Sequence, residues 1–82
     1  MIDKVIVTVK LDNGAFSIDM ELPAQLFVKE LAPKMLEALE QIDPRRFMGM
    51  DELTLINKGS ILSESSTLYS EAVWDGSILI VR

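Results

Sequence analysis

The chain has 82 residues, 49% of them hydrophobic, and its thirteen acidic and eight basic residues give a net charge of -5. That length allows one modest core, so we expect a single domain over residues 1–82, and the net charge disfavours binding to nucleic acid or anionic lipid. Cysteine and histidine are absent, which excludes disulfides, zinc–thiolate sites and catalysis by a thiol or an imidazole.

The N-terminal segment predicts an antiparallel hairpin. Val5, Val7 and Val9 alternate with Ile6, Thr8 and Lys10, which is the period-2 pattern of a half-buried strand. Asn13-Gly14 then supplies the positive φ angles of a tight turn. The alternation resumes at Phe16 and ends at Pro23, so we expect the second strand there.

The next segment predicts an amphipathic helix. Its apolar stripe, with three- and four-residue spacing, consists of Val28, Leu31, Met35, Leu39 and Ile42. Pro33 falls inside this pattern, where an interior proline costs about 3 kcal/mol. Two interpretations are open: one helix from near Val28, or an irregular turn over 24–32 followed by a helix with Pro33 at its first position. We favour the single helix.

The second half predicts short elements and a closing strand. In chain order we expect a connecting loop over 45–50, a strand around Leu53 and Leu55, a turn over 57–60 and a short strand or bridge at 61–62. One helical turn or a 3₁₀ turn over 67–73 and a strand over 78–81 follow. The last strand is apolar throughout, as in the middle of a sheet, so it should lie parallel to the first. The predicted class is α+β, with one main helix packed across a mixed sheet of four to five strands.

This order of elements is that of a ubiquitin-like β-grasp, and from Leu53 to Val81 the layout resembles ubiquitin. A sharper resemblance lies in the strand Ile18–Pro23, which ends in Leu-Pro, and in the Val-x-x-Leu-x-Pro pattern of Val28–Pro33. Both are similar to the YukD/EsaB family, the small ubiquitin-like components of type VII secretion systems, and to the N-terminal cytosolic domain of the EccD membrane proteins. With the closing Asp75–Leu79, the resemblance covers essentially the whole chain.

The resemblance implies a non-enzymatic accessory or regulatory protein that is not conjugated to other proteins. Its partners would be cytosolic domains of secretion-apparatus proteins, such as the membrane ATPase or a pseudokinase-like component. Two alternatives stay open: the cytosolic domain of a larger EccD-like protein, or a ubiquitin-like modifier or sulfur carrier whose Gly-Gly tail is missing after Arg82.

The apolar runs are far shorter than the roughly 20 residues of a membrane span, and Met1-Ile2-Asp3-Lys4 does not begin a signal peptide. We therefore expect a cytoplasmic protein that reaches the inner face of the cell membrane only through protein partners, without direct insertion.

Strand parity predicts an exposed apolar face. If Val5, Val7 and Val9 face the helix, the alternate positions of three adjacent strands face outward. These positions are Ile6, Thr8, Thr54, Ile56, Ile78 and Ile80. A contiguous exposed apolar patch marks a binding surface, for a partner protein or for a second copy in a homodimer. The alternatives are that β-branched residues simply suit central strands, or that a loop covers the face.

Arg45 and Arg46 are the second candidate partner-binding residues, because arginine next to aromatic and methionine side chains is common at interfaces. The alternative, which we favour, is that Phe47 or Met50 fills the lower core and the arginines solvate the helix end.

Residues suited to catalysis form no recognisable set. The serines of the 63–66 loop have no histidine to activate them, and Asp51 and Glu52 would point to opposite faces of a strand. We expect no enzyme, no cofactor and no metal site.

Overall fold

The computed structural model describes residues 3–82. Met1 and Ile2 lie outside the described residues. The expectation that the N-terminus does not begin a signal peptide falls partly on these two residues. The elements are β1 (Lys4–Leu11), β2 (Ser17–Pro23), α1 (Val28–Ile42), α2 (Pro44–Phe47), β3 (Leu55–Asn57), β4 (Ser60–Ile61) and β5 (Ile78–Val81).

The five strands form one mixed sheet in the order β2-β1-β5-β3-β4. β1 and β2 are the predicted antiparallel hairpin, with Val7 opposite Met20. β5 lies between β1 and β3, parallel to the first and antiparallel to the second. The predicted α+β class, the mixed sheet and the parallel pairing of the first and last strands are therefore confirmed.

A turn over 75–77 attaches the start of β5 to β1. The Ile6 N–H donates to Oδ1 of Asp75 at 2.8 Å, and the Ile6 carbonyl accepts from the Gly76 N–H at 2.9 Å. The Thr8 N–H then donates to the Ser77 carbonyl at 2.9 Å. Gly76 has φ +87°, which a side chain would disfavour. These three hydrogen bonds set the register of β5 before the ladder begins.

α1 is a single helix that contains Pro33, as favoured from the sequence. Its N-cap, Phe27, makes no side-chain cap hydrogen bond. Instead the Val28 N–H donates to the Ser66 carbonyl at 2.8 Å and the Lys29 N–H to the Glu64 carbonyl at 3.1 Å. Backbone carbonyls of the 63–66 loop thus satisfy two of the amide groups that every helix start leaves unpaired.

The core lies between α1 and the inner face of the sheet. From the helix it contains Val28, Leu31, Ala32, Met35, Leu36 and Leu39. From the sheet it contains Val5, Val7, Val9, Leu55, Leu79 and Val81. Asn57 is the one buried polar residue of the described chain, and its amide donates to the Glu71 carbonyl at 3.2 Å.

Three predicted segments differ in detail. The expected loop over 45–50 begins as the short helix α2, because Pro44 suits a first helical position and Asp43 accepts the Arg46 N–H. β3 starts at Leu55, although Leu53 is buried as expected. The segment 67–73 forms hydrogen-bonded turns rather than a helix, but it buries Leu68 and Val73 completely, as predicted.

The Asp75 carboxylate should stabilise the fold by accepting the Ile6 N–H. We expect Asp75→Ala to lower the free energy of unfolding by about 1 kcal/mol, because the amide loses its acceptor. Asp75→Asn keeps a side-chain oxygen and should lose less. Urea denaturation measures both, with Asp51→Ala as the control for an exposed carboxylate that accepts no hydrogen bond. Equal losses in the Ala and Asn variants would contradict this role of the acceptor.

Candidate protein-binding surface

The outer face of the sheet, opposite α1, carries a row of apolar side chains that crosses three strands. In the register of the sheet, Ile80 lies beside Ile56, and Ile56 lies beside Ile61. On its other side Ile80 lies beside Lys10. Directly paired side chains on one face of a sheet are about 5 Å apart, so the three isoleucines form one continuous strip.

A second row adjoins this strip. Ile78 lies two residues before Ile80 on β5 and pairs with Thr8 on β1. Ile6, two residues before Thr8, is diagonal to Ile78, within reach of a long side chain. Beyond the other end of the strip, Thr54 exchanges two backbone hydrogen bonds with Arg82, of 2.7 and 3.1 Å.

We call this surface the isoleucine face. It consists of Ile6, Thr8, Thr54, Ile56, Ile61, Ile78 and Ile80. Ile6, Ile61 and Ile78 are 51%, 60% and 50% exposed, and the other four are half-buried. The structure thus brings together all six positions that strand parity predicts for this face, and no loop of the described chain covers the three exposed isoleucines.

Ile61 is the member of the face that the sequence prediction missed. The pattern placed it in a short strand without assigning its side, because two residues show no alternation. The turn over 57–60 was the available signal: Lys58 and Gly59 have φ of 51° and 83°, and the tight hairpin they form pairs Ile56 with Ile61. A hairpin pair shares one face, so an outward Ile56 requires an outward Ile61.

The charged neighbours of the isoleucine face carry both signs: on β2, Glu21 pairs with Ile6, and Asp19 accepts a hydrogen bond from the Thr8 hydroxyl at 2.8 Å. Lys10 lies beside Ile80, and Lys58 adjoins Ile78 and Ile80. Arg82 follows the inward-facing Val81, so its position in the sheet faces outward. At the β2 end, the Lys4 Nζ is 3.5 Å from Oε1 of Glu21. Lys10, Lys58 and Arg82 thus border the face around Ile80, and carboxylates of β2 border it around Ile6 and Thr8.

The arginine pair does not join this face. Arg45 and Arg46 lie on α2, which packs beside α1 on the other side of the sheet, and the Arg46 Nε donates to Oδ2 of Asp43 at 2.9 Å. Phe47 is fully buried, with its ring edge-on to Phe16 at 5.1 Å. These contacts support the favoured interpretation, in which Phe47 fills the core and the arginines are solvated.

The expectation that Asp51 and Glu52 point to opposite faces of a strand is wrong. The two residues lie before β3 in an irregular segment, so strand alternation does not apply and both side chains line the same groove beside α1. Within residues 3–82, no group of three acidic side chains is arranged to hold a metal ion. In the same range, no helix is long and apolar enough to cross a membrane.

A five-stranded mixed sheet with a central parallel pair, crossed by one helix and exposing an aliphatic outer face, defines a ubiquitin-like β-grasp protein. The comparison with protein families gives a more specific assignment. Residues 5–81 match the family model described as "WXG100 protein secretion system (Wss), protein YukD". The chain belongs to this YukD family, and the resemblance seen in the sequence is confirmed. A search of the curated proteins finds no match.

Solved structures of the same fold include domains from type VII secretion systems. The ubiquitin-like domain of EccD1 from Mycobacterium tuberculosis is 21% identical and superposes with a TM-score of 0.77, covering 98% of each chain. The EccD5 ubiquitin-like domain of Mycobacterium xenopi is 16% identical, with a TM-score of 0.78, over 96% of this chain and 92% of that one.

A third similar structure belongs to a much longer chain. The match is to a chain in a structure described as the MycP5-free ESX-5 inner membrane complex, with 22% identity and a TM-score of 0.79. It covers 99% of this chain and 21% of the other, so this chain spans about one fifth of that protein. At these identities the likeness shows the ubiquitin-like fold.

The burial of Phe47 generates a stability prediction for the segment that follows α1. Phe47→Ala should lower the free energy of unfolding by about 3–5 kcal/mol, because it leaves a cavity beside Phe16. Met48→Ala, at a 73% exposed neighbour, and Arg45→Ala should each change it by less than about 0.5 kcal/mol. Chemical denaturation measures these values, and Phe47→Leu serves if the alanine variant is unfolded. A Phe47→Leu variant as stable as the parent chain would contradict the core role.

Proposed function

We propose that this chain is a non-enzymatic binding module that docks, through its isoleucine face, on the cytosolic part of another type VII secretion component. The observation that carries the proposal is the exposure of Ile6, Ile61 and Ile78 on the outer face of the sheet, where they join the half-buried Ile56 and Ile80. The family supplies the system in which the module acts. The partner class, a membrane ATPase or a pseudokinase-like component, comes from that family resemblance.

The energetics favour association through this face. Fully burying an isoleucine is worth roughly 1.5–3 kcal/mol, and three isoleucines here are at least half exposed. A sheet is also rigid, so little binding free energy is lost to the ordering of backbone and side chains on this side of the interface. Lys10, Lys58 and Arg82 around Ile80 would favour acidic groups in the part of the partner that docks there.

Two forms of this proposal remain, which differ in the length of the natural protein. In one, the chain is a separate accessory protein. In the other, it is the cytosolic domain of a longer EccD-like protein; the similar chain in the ESX-5 inner membrane complex, which this chain covers only in part, favours that form. Either form places the module at the inner face of the cell membrane through protein contacts.

Charge introduced on the isoleucine face should abolish docking. We expect Ile6→Asp/Ile78→Asp to weaken binding to the purified cytosolic domain of the cognate partner at least about a hundredfold, because two apolar contacts are lost and two carboxylates must be desolvated. The matched control is Ile42→Asp/Met48→Asp, which introduces the same charge at exposed apolar positions outside the sheet. Calorimetric titration measures binding, and circular dichroism checks the fold of both variants. Equal losses in the two variants would contradict docking through this face.

Non-covalent docking also predicts how the chain behaves in its host. A tagged copy purified under native conditions should bring secretion components with it, and the same copy purified in denaturant should come alone, because no covalent link joins them. Mass spectrometry identifies both samples. Adducts that survive denaturation would contradict the proposal and support the modifier alternative.

A further inference from the structure

A groove lies on the helix side of the sheet, between α1 and the segment that leads into β3. We call it the helix groove. Its volume is about 520 Å³, within the range of roughly 300–1,000 Å³ found for sites that bind ligands or side chains of a partner. It runs along α1 from Lys29 near the helix start to Glu40 near its end, and the segment 50–55 forms the opposite wall.

The floor of the helix groove is apolar. α1 contributes Ala32 and Leu36, and the segment 50–55 contributes Leu53 and Leu55. Leu62, which follows β4, completes the floor. All five belong to the core and are less than a tenth exposed, so the floor is the edge of the hydrophobic core itself. A side chain that enters here would contact fixed, close-packed neighbours, which favours a specific fit over a loose one.

The rim of the groove is acidic on both sides. Its carboxylates are Glu37, Glu40, Asp51, Glu52 and Glu64, and its one basic residue is Lys29. The two ion pairs of the described residues, Lys4–Glu21 and Arg46–Asp43, involve none of these carboxylates. The carboxylates are also not grouped as a metal site within residues 3–82. They are therefore spread along the groove, where several separate cations could each meet one.

The helix groove and the isoleucine face differ in the charged residues that border them. Lys10, Lys58 and Arg82 border the outer face of the sheet, whereas the acidic side chains of α1 and of the segment 50–55 border the groove. The isoleucine face also has Asp19 and Glu21 beside it on β2, so its border is of mixed charge, whereas the rim of the groove is mostly acidic. A basic segment is therefore attracted more strongly to the groove than to the isoleucine face.

We propose that the helix groove binds a basic linear segment of a partner protein. One or two apolar side chains of the segment enter between Leu36 and Leu53, and flanking lysines or arginines pair with Glu37 and Glu52 on the two sides. The buried side chains supply most of the affinity, because exposed ion pairs are individually weak. The rim charges supply selectivity and a faster association. Thr54 and Ile61 of the isoleucine face also line the groove, whereas Ile6, Ile78 and Ile80 do not. A partner docked on β1 and β5 therefore leaves the groove open.

The test uses a short synthetic peptide with two leucines flanked by arginines and a twin with glutamates in place of the arginines. We expect the arginine peptide to bind the chain and the glutamate peptide to bind at least about tenfold more weakly. Amide chemical-shift changes on titration should map to α1 and to residues 50–55. Shifts confined to the isoleucine face, or equal binding of the two peptides, would overturn the proposal.

A charge-matched pair of variants separates the groove from the general acidity of the chain. Glu37→Lys/Glu52→Lys reverses one charge on each side of the groove, and Glu21→Lys/Glu30→Lys makes the same net change at exposed positions outside it. The affinity for the arginine peptide should fall about tenfold more in the groove variant than in the control variant. Equal losses would mean that only the net charge attracts the peptide and would overturn the proposal.

Ionic strength and self-association give two further readouts. Added salt should weaken peptide binding more than it weakens docking through the isoleucine face, because apolar contacts supply most of the affinity there. Ile6→Asp/Ile78→Asp should bind the arginine peptide like the parent chain, so a failure of the groove and a failure of the proposed docking are distinguishable. If sedimentation shows that a second copy of the chain occupies the groove and the peptide cannot displace it, the proposal is wrong.

Discussion

The placement of β5 between β1 and β3 is the constraint on which the rest of the structure depends. A strand near the end of the chain must pass over the fold and pair with the first strand in parallel, so its register is set by contacts far apart in sequence. The hydrogen bonds of Asp75 and Gly76 to Ile6 supply that register at the entrance of the strand. A shift by one residue would turn Leu79 and Val81 out of the core and Ile78 and Ile80 into it.

The same placement creates the isoleucine face. β5 presents Ile78 and Ile80 at the centre of the sheet, where neighbouring strands on both sides can extend the apolar surface. The inner residues of the strand, Leu79 and Val81, are fully buried against α1. One four-residue strand therefore serves the core with one side and the outer surface with the other, which explains why it is apolar at every position.

Periodicity predicted the elements that are long, and it failed where elements are short. The alternation in β1 and the spacing in α1 each cover several repeats, so their faces follow from the sequence. α2 and β4 are four and two residues long, too short for a period, and their placement depends on tertiary contacts. Pro33 shows the same limit. Its tolerance inside α1 depends on the packing of the rest of the helix, and helix propensity does not include that packing.

The six outward positions of the sheet followed from strand parity, whereas the helix groove could not be predicted. Asp51 and Glu52 were treated as strand residues, and their common position on one wall of the groove depends on an irregular segment with no sequence signature. The acids of α1 are simply the solvated side of an amphipathic helix until that segment is placed beside them. Long-range placement, rather than residue type, separates a solvated helix face from a charged groove.

The acidic rim of the helix groove limits what the chain can do with a copy of itself. The basic residues around Ile80 are attracted to this rim, and a contact between unlike surfaces of identical chains would form open-ended filaments. Shape opposes this contact, because the isoleucine face is a sheet surface four strands wide, whereas the groove lies between one helix and one segment of chain. A flat sheet cannot insert into such a groove, but a single linear segment can. The acidic rim is therefore available to basic partners of another shape.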